Sequence, residues 1–332
     1  MPYIIAEVGQ AHEGSLGLAL SYIDALAETG VDAVKFQVHI ADAESSEYEP
    51  FRVKFSEQDK TRFDYWKRME FSLDQWKLLK QRCDEKEVEF LASPFSNAAV
   101  DFLEEVGVER YKVGSGEVNN FLLLQKIAQT RKPVILSSGM SSYEELDRTV
   151  GFLKERKVGF SILQCTTAYP TKPEDYGLNV IKQLKDRYKV PVGYSDHSAR
   201  PETCIAATAL GAEILEFHAV FDRRSFGPDA TSSLEIDEIK NLVQSVKNIE
   251  TSLKQPVDKA DNSRFSDLKK IFEKSLAINK DLPARHKLTF EDLEAKKPKG
   301  YGVEASKFEE VLGRELKRDI KQWEFLKEED LL

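Results

Sequence analysis

The 332-residue sequence has few cysteines, no long apolar run and no excess of basic residues. Its three cysteines, Cys83, Cys165 and Cys204, are odd in number and lack metal-type spacing, which favours a reducing, cytoplasmic compartment. No apolar run approaches the ~20 residues that span a bilayer. The first residues, "MPYIIAEVG", lack the cationic start and apolar core of a signal peptide. We therefore predict a cytoplasmic protein without a membrane partner.

The formal net charge of −9 excludes a nucleic-acid partner, which would need a basic face. A small anionic substrate remains compatible, because the local charge of a pocket can oppose the net charge. With 41% hydrophobic and 32% charged residues, the composition is that of a folded globular protein.

Eight short apolar runs alternate with amphipathic segments along residues 1–253. The runs are YIIAEV, AVKFQV, EFLASP, RYKVGS, PVILSS, FSILQC, PVGYSD and EILEFHAVF. Segments such as "SYEELDRTVGFLKERK" carry apolar residues at helical spacing. Eight strand–helix units of this kind predict a (β/α)8 TIM barrel as the catalytic domain, an α/β fold whose chemistry lies at the carboxyl ends of the strands.

The remainder of the chain predicts a linker at 254–271 and a small C-terminal domain at 272–332. Residues 280–293, "KDLPARHKLTFEDL", and 318–331, "RDIKQWEFLKEEDL", resemble each other at a constant offset of 38 residues. Two copies predict a pseudo-symmetric module. Because about 60 residues form only a small core, we expect this module to dock on another surface.

Seven motifs resemble those of the sialic acid synthase (N-acetylneuraminate synthase) family, and the tail resembles that family's C-terminal antifreeze-like (SAF, β-clip) domain. The motifs are IIAEVGQAHEGS, VKFQ, YKVGSGEVNN, ILSSGM, QCTTAYPT, GYSDHS and FGPD. The resemblance implies condensation of phosphoenolpyruvate with an N-acetylmannosamine-type amino sugar, giving a nine-carbon 2-keto sugar acid and phosphate. It also implies a divalent metal, typically Mn²⁺ with Mg²⁺ or Co²⁺ as alternatives. It further implies a domain-swapped homodimer in which one chain's antifreeze-like domain covers the other chain's barrel.

His197 ends the seventh predicted strand, and His218 lies late in the eighth. Adjacent strands lie about 4.8 Å apart. Two imidazoles there can reach one ion, and the resemblance makes both residues catalytic metal ligands. The alternative is that each is an ordinary hydrogen-bonded histidine.

Lys112 lies in an apolar strand, where an ammonium needs an anion. The resemblance makes phosphoenolpyruvate that anion, and a structural ion pair with Glu117 is the alternative. Further contacts to phosphoenolpyruvate are implied for Ser115, Ser137, Thr167 and Ser195.

Glu13 resembles the family's acidic residue at the catalytic centre and would manage protons. It equally suits a helix N-terminal region, where the dipole favours a carboxylate. Contacts to the sugar are implied for Gln37, Glu117, Tyr169, Asp229, Phe272 and Lys297.

Three residues depart from the family pattern: Thr167 replaces the usual Asn, Phe217 a basic residue, and Lys297 an arginine. They put in doubt which sugar is used, and a diacetamido hexose is an alternative. Two other functions stay open: a phosphoenolpyruvate-condensing synthase that makes eight- or seven-carbon keto acids, and a non-catalytic sugar-binding barrel.

Overall fold

A computed structural model describes residues 1–53 and 55–332, and these divide into two compact units, Met1–Gln255 and Pro256–Leu332. In the first unit, eight parallel strands pair in sequence order and β1 closes onto β8. The predicted (β/α)8 barrel is thereby confirmed. The strands β1 to β8 are Tyr3–Gly9, Ala33–Val38, Glu89–Pro94, Tyr111–Val113, Val134–Ser137, Phe160–Cys165, Val192–Asp196 and Ile214–Val220. A two-residue strand β9, Leu234–Glu235, pairs in parallel with the end of β8.

Ten helices accompany these strands among the described residues of the first unit. Helices α1 to α10 are Leu16–Ala27, Ala41–Glu44, Arg62–Met69, Leu73–Glu85, Asn97–Val106, Phe121–Thr130, Tyr143–Glu155, Leu178–Tyr188, Pro201–Ala209 and Ile236–Lys254. Serine side chains cap several of them, such as Ser72 before α4 and Ser142 before α7. No helix of the described residues is long and apolar enough to span a membrane.

The barrel interior is a packed core rather than a pore. Below the level of the polar strand ends it is filled by Ile5, Ala33, Leu91, Ile135, Leu163 and Ile214. The outward faces of the strands pack on the helices through a much larger apolar cluster. Because both faces of the strands are buried, their sequences are nearly continuous apolar runs in which a charged residue stands out.

In the connection between β2 and α4, residues 41–53 and 55–70 form a lobe of their own, which contains α2 and α3. Its apolar cluster consists of Ala41, Tyr65, Trp66 and Met69, with Phe51, Phe55 and Phe63 packed against them. The Phe55 ring also lies 5.5 Å from that of Phe226, in the connection that follows β8.

The second unit contains α11 (Ser266–Phe272), β10 (Ser275–Ile278), β11 (Leu293–Lys296) and α12 (Phe308–Val311). Residues related by the 38-residue offset hydrogen bond to each other: the amide of Leu282 donates to the carbonyl of Ile320, and the amide of Ile320 to that of Leu282. The side chains of Asp281 and Asp319 likewise accept from the amides of Gln322 and Ala284. This reciprocity is that of a pseudo-two-fold axis, as the repeat predicts.

Candidate active site

The carboxyl ends of the strands surround a cavity of about 520 Å³. Eleven of the residues predicted to act in the site line it: Gln37, Lys112, Ser115, Glu117, Ser137, Thr167, Tyr169, Ser195, His197, His218 and Asp229. They come from strands or connections that are far apart in sequence, and the closed barrel brings them together.

Two ammonium groups and two carboxylates form a buried network at the base of this cavity. The Lys35 ammonium lies 2.8 Å from Glu7 and 3.6 Å from Glu216, and the Lys112 ammonium lies 2.8 Å from Glu216. All four side chains are at most 4% exposed. Burial opposes ionisation of Glu7, but Lys35, His218 and Lys112 hold its pKa below the ordinary value. Lys112 is therefore paired, and its partner is Glu216 rather than Glu117.

Strand register sets the position of Glu7 between two functional side chains. Glu7 pairs with Lys35 on β2 and with His218 on β8. Its Oε1 accepts hydrogen bonds from Lys35 and, at 2.7 Å, from the Gln37 amide nitrogen. Oε2 then lies 3.4 Å from His218 Nε2, so that one carboxylate oxygen is held and the other faces the histidine.

His197 and His218 lie side by side, with ring centres 5.3 Å apart. The Nδ1 atom of His197 is 2.9 Å from the carbonyl of Thr166, which leaves Nε2 as its outer nitrogen. Burial disfavours the imidazolium, but Cys165 and the Thr166 carbonyl raise the pKa of His197 to about 9. No cluster of three or more His, Cys, Asp or Glu side chains with metal-binding spacing occurs in residues 1–53 and 55–332. Two adjacent imidazoles fit a divalent ion whose other positions go to water and substrate.

One side of the cavity carries hydroxyl groups beside Lys112. Ser137 Oγ is buried and has no hydrogen-bond partner among the described residues. A Cβ atom added to Gly139 would lie 2.3 Å from Thr167 Oγ1 and 2.5 Å from Ser115 Oγ, so only glycine lets the backbone approach these groups. Ser195 adds a further hydroxyl, which donates to Glu216, so the unpartnered Ser137 Oγ is the hydroxyl that is free to donate to a phosphate.

Arg52 from the β2–α4 lobe lies at another side of the cavity. Its guanidinium is 4.0 Å from the centre of the Tyr169 ring and 2.6 Å from Asp229, and it also donates to the Pro228 carbonyl. Tyr169 in turn stacks on His197. This arginine thus joins two residues that the sequence assigns to the sugar.

Three predicted site residues lie elsewhere. Glu13 is not part of the cavity lining: its carboxylate pairs with Arg68 at 2.9 Å, and Arg68 also binds Asp59. Burial raises the pKa of Glu13 although Arg68 opposes this. Phe272 and Lys297 belong to the second unit, where the Lys297 ammonium lies 5.0 Å from the centre of the Phe272 ring.

Four residues of the site were missed as functional residues in the sequence: Glu7, Lys35, Arg52 and Glu216. Three of them carried a usable signal. Glu7, Lys35 and Glu216 are charged residues inside apolar strands, the same pattern that identified Lys112. Arg52 lies in a polar connection and had no such signal.

Residues 22–258 match the sequence model of the NeuB family, and residues 273–332 match that of the SAF domain. The chain belongs to the NeuB family. The family predicted from the seven motifs, and the SAF domain predicted for the tail, are both confirmed.

This NeuB family member is similar to several synthases. It is 33% identical over 331 residues to an N,N'-diacetyllegionaminic acid synthase of Campylobacter jejuni, covering 98% of each chain. It is 36% identical over 308 residues to the N-acetylneuraminate-9-phosphate synthase of Homo sapiens, covering 91% of this chain and 85% of the relative. The crystal structure of an N-acetylneuraminic acid (sialic acid) synthetase from Leptospira borgpetersenii has a TM-score of 0.70 at 34% identity, covering 81% of this chain and 91% of the other.

Proposed function

We propose that this chain is a nonulosonic (sialic) acid synthase. It condenses phosphoenolpyruvate with an N-acetylmannosamine-type amino sugar, giving a nine-carbon 2-keto sugar acid and phosphate. The observation that carries the proposal is that one cavity brings two buried ammonium groups and the unpaired hydroxyl of Ser137 beside a pair of histidines. An anionic substrate and a polarised carbonyl oxygen are what such a cavity can hold together.

Phosphoenolpyruvate occupies the side of the cavity that carries the hydroxyl groups. Lys112 supplies positive charge, and Ser115, Ser137, Thr167 and Ser195 supply hydrogen-bond donors. The unpaired Ser137 Oγ supports this assignment, because a buried hydroxyl without a partner costs free energy that a bound phosphate oxygen restores.

His197 and His218 hold the divalent ion, Mn²⁺ in the first instance and Mg²⁺ or Co²⁺ otherwise. When bound, such an ion supplies Lewis-acid polarisation of the sugar aldehyde. The Thr166 carbonyl orients His197, and Glu7 lies beside His218.

Glu7 manages the proton of the reaction at its Oε2 atom. As C3 of phosphoenolpyruvate bonds to C1 of the open-chain sugar, C2 becomes electrophilic and is captured by water. Glu7 Oε2 accepts the proton that this water loses and passes it to the alkoxide oxygen formed at C1 of the sugar, and the remaining hydroxyl proton at C2 leaves with the phosphate as the ketone forms. Lys112 and the hydroxyls hold the phosphate until the C2–O bond breaks. The overall reaction converts phosphoenolpyruvate, the aldose and water into the keto acid and phosphate.

We assign this proton to Glu7 instead of Glu13. Glu7 lines the cavity and faces His218, whereas Glu13 pairs with Arg68. Glu13 has φ +50°, in a connection that its ion pair with Arg68 ties to the β2–α4 lobe. We therefore propose a structural role for Glu13.

The amino sugar is held by Gln37, Glu117, Tyr169 and Asp229, with Arg52 as an added contact. Phe272 and Lys297 reach it from the partner chain of a domain-swapped homodimer. In this proposal residues 1–253 form the catalytic domain, 254–271 the linker and 272–332 the covering domain. The proximity of Lys297 to Phe272 supports their acting together.

A test is phosphate release from phosphoenolpyruvate with a panel of N-acetylated hexosamines, diacetamido hexoses and their 6-phosphates. We expect release with one of these sugars, loss of release with a chelator and recovery with Mn²⁺. Release only with a phosphorylated pentose or tetrose would favour an eight- or seven-carbon keto acid synthase. If the metal-loaded protein released no phosphate with any aldose, that result would contradict the enzyme assignment.

A further inference from the structure

His39 lies at the side of the cavity in an environment that fixes its ring. Its imidazole stacks between Trp66, at 3.8 Å between ring centres, and Phe95, at 4.6 Å. Both stacked rings lie within 18° of parallel to it. The ring therefore has little freedom to turn, and its two nitrogens point at defined neighbours.

One of these nitrogens meets a buried carboxylate. His39 Nδ1 lies 2.5 Å from Glu44 Oε1, and the Glu44 side chain is only 7% exposed. A carboxylate accepts hydrogen bonds only, so Nδ1 carries a proton. His39 is the only ion-pair partner of Glu44 among residues 1–53 and 55–332. This contact ties the orientation of the imidazole to a buried carboxylate.

The other nitrogen meets the amide of Gln37. His39 Nε2 lies 3.1 Å from Gln37 Oε1 and 3.1 Å from the Gln10 amide nitrogen, which itself donates to Gln37 Oε1. These contacts hold the Gln37 amide oxygen on the side of His39 and Gln10. The Gln37 amide nitrogen then points to Glu7 Oε1 at 2.7 Å.

We infer that His39 and Glu44 are positioning residues, which fix the Gln37 amide so that Glu7 presents its Oε2 atom toward His218. The line of contacts runs Glu44–His39–Gln37–Glu7. Without the contacts of His39 Nε2 to Gln37 and Gln10, the Gln37 amide can turn over and place its oxygen against the Glu7 carboxylate, which repels it. The inference rests on the proposed function, in which Glu7 Oε2 takes the proton from water.

His39→Phe tests the inference, because phenylalanine keeps the stack between Trp66 and Phe95 and removes both nitrogens. We expect kcat to fall by about tenfold to hundredfold, as for a misplaced catalytic group, with the KM for phosphoenolpyruvate within about twofold. His12→Phe is the matched control. His12 is a second buried histidine, its ring centre lies 4.7 Å from that of Phe71, and it does not line the cavity. If His39→Phe fails to fold, Glu44→Gln removes the carboxylate that faces His39 Nδ1 and is expected to shift kcat in the same direction.

A double-mutant cycle separates positioning from packing. If His39 acts through Gln37, His39→Phe combined with Gln37→Ala is no worse than Gln37→Ala alone. If the losses of kcat caused by the two substitutions multiplied in the double variant, the inference would be overturned.

A crystal structure of the His39→Phe variant gives a readout that needs no activity. We expect the contact between Gln37 Nε2 and Glu7 Oε1 to be lost, and its retention at hydrogen-bond distance would overturn the inference. If the wild-type chain releases no phosphate with any sugar, the proposed function fails, and this crystallographic comparison still decides the positioning role.

Discussion

Glu216 shares its Oε1 atom among Lys35, Lys112 and Ser195, at distances between 2.8 and 3.6 Å. The carboxylates of Glu216 and Glu7 thus balance the two buried ammonium groups of Lys35 and Lys112. Removing either carboxylate would leave an uncompensated buried cation, which costs several kcal/mol in a typical protein interior. These four side chains therefore form a charge-neutral network at the base of the cavity.

Adding one methyl group at Gly139 tests the proposed binding of phosphate beside Thr167 and Ser115. Gly139→Ala places a methyl group 2.3 Å from Thr167 Oγ1 and 2.5 Å from Ser115 Oγ, so that these hydroxyls must move. We expect the KM for phosphoenolpyruvate to rise by about tenfold or more, equivalent to ~1.4 kcal/mol, with little change in the KM for the sugar. Steady-state kinetics with each substrate varied measures both.

Gly151→Ala is the control for this substitution. Gly151 lies within α7, and an added Cβ atom meets nothing within 4 Å. Because alanine is the better helix former by about 1 kcal/mol, the control variant should be at least as stable as the wild type, with unchanged kinetics. An unchanged phosphoenolpyruvate KM in Gly139→Ala would place the phosphate elsewhere.

At the residue scale, the sequence identified hydroxyls and histidines at strand ends better than it identified charges within strands. Lys112 stood out because a lysine in an apolar strand needs an explanation, and its partner Glu216 stood 104 residues away in another strand. Strand register, which only the closed barrel defines, brings Glu7 level with Lys35 and His218. Glu13 also follows β1 in the sequence, but its carboxylate pairs with Arg68 and does not line the cavity.

At the scale of elements, all eight strands were predictable from their apolar runs, but the β2–α4 lobe was not. Helices α2 and α3 have only four and eight residues and lie in a polar stretch without a clear period. Their stability comes from tertiary packing of the aromatic cluster and from capping by Thr61, which a periodicity argument does not capture.

Arg52 tests whether this lobe contributes to recognition of the sugar. Arg52→Ala removes the contacts with Asp229, Pro228 and Tyr169, and we expect the KM for the sugar to rise by about fivefold to a hundredfold, as for the loss of a charged hydrogen bond. The KM for phosphoenolpyruvate should stay within about twofold.

Arg224→Ala is the matched control, since Arg224 is a 91% exposed arginine paired with Asp222 and does not line the cavity. Equal effects of Arg52→Ala on both substrates would show that Arg52 stabilises the cavity as a whole and does not recognise the sugar.

Asp292 provides a test of how the second unit is held together. Its carboxylate is buried and binds Lys280, His286 and the amide and hydroxyl of Thr289. Burial opposes ionisation, but these partners hold the pKa of Asp292 below the ordinary value. A lowered native pKa adds stability that is fully present above the ordinary value of about 3.9 and is lost as the pH falls through the native pKa.

We therefore expect Asp292→Asn to lower the Tm of the second unit by about 5–10 °C at pH 7, and the difference from wild type to shrink below about pH 4. Differential scanning calorimetry across this pH range measures it. Asp267→Asn is the control, because the side chain of Asp267 is 89% exposed. A difference that grows toward low pH would contradict the assigned role of the carboxylate.

At the scale of the whole molecule, the chain consists of a barrel that carries the cavity and a second unit with its own core and several exposed aromatic residues. Phe272 is 61% exposed and adjoins Lys297. In the proposed homodimer, the second unit of each chain excludes water from the partner's cavity, where an electrophilic C2 must meet only one water molecule.

A complementation experiment tests this arrangement. A chain ending at Gln255 should fold, bind the metal and lack synthase activity. Mixed with a full-length chain carrying His197→Ala and His218→Ala, it should regain activity, because the inactive chain still supplies the covering unit. Heterodimers that form without any recovery of activity would show that the second unit covers its own barrel or acts elsewhere.

The position of bond cleavage tests the central claim most directly. Phosphoenolpyruvate labelled with ¹⁸O in the oxygen that bridges C2 and phosphorus is turned over with the amino sugar that supports phosphate release, and both products are analysed by mass spectrometry. Capture of C2 by water and loss of phosphate through the C2–O bond predicts that released phosphate retains the label and that the nine-carbon keto acid carries none. Label in the organic product would mean cleavage between phosphorus and oxygen, and would contradict the condensation derived from Glu7, Lys112 and the two histidines.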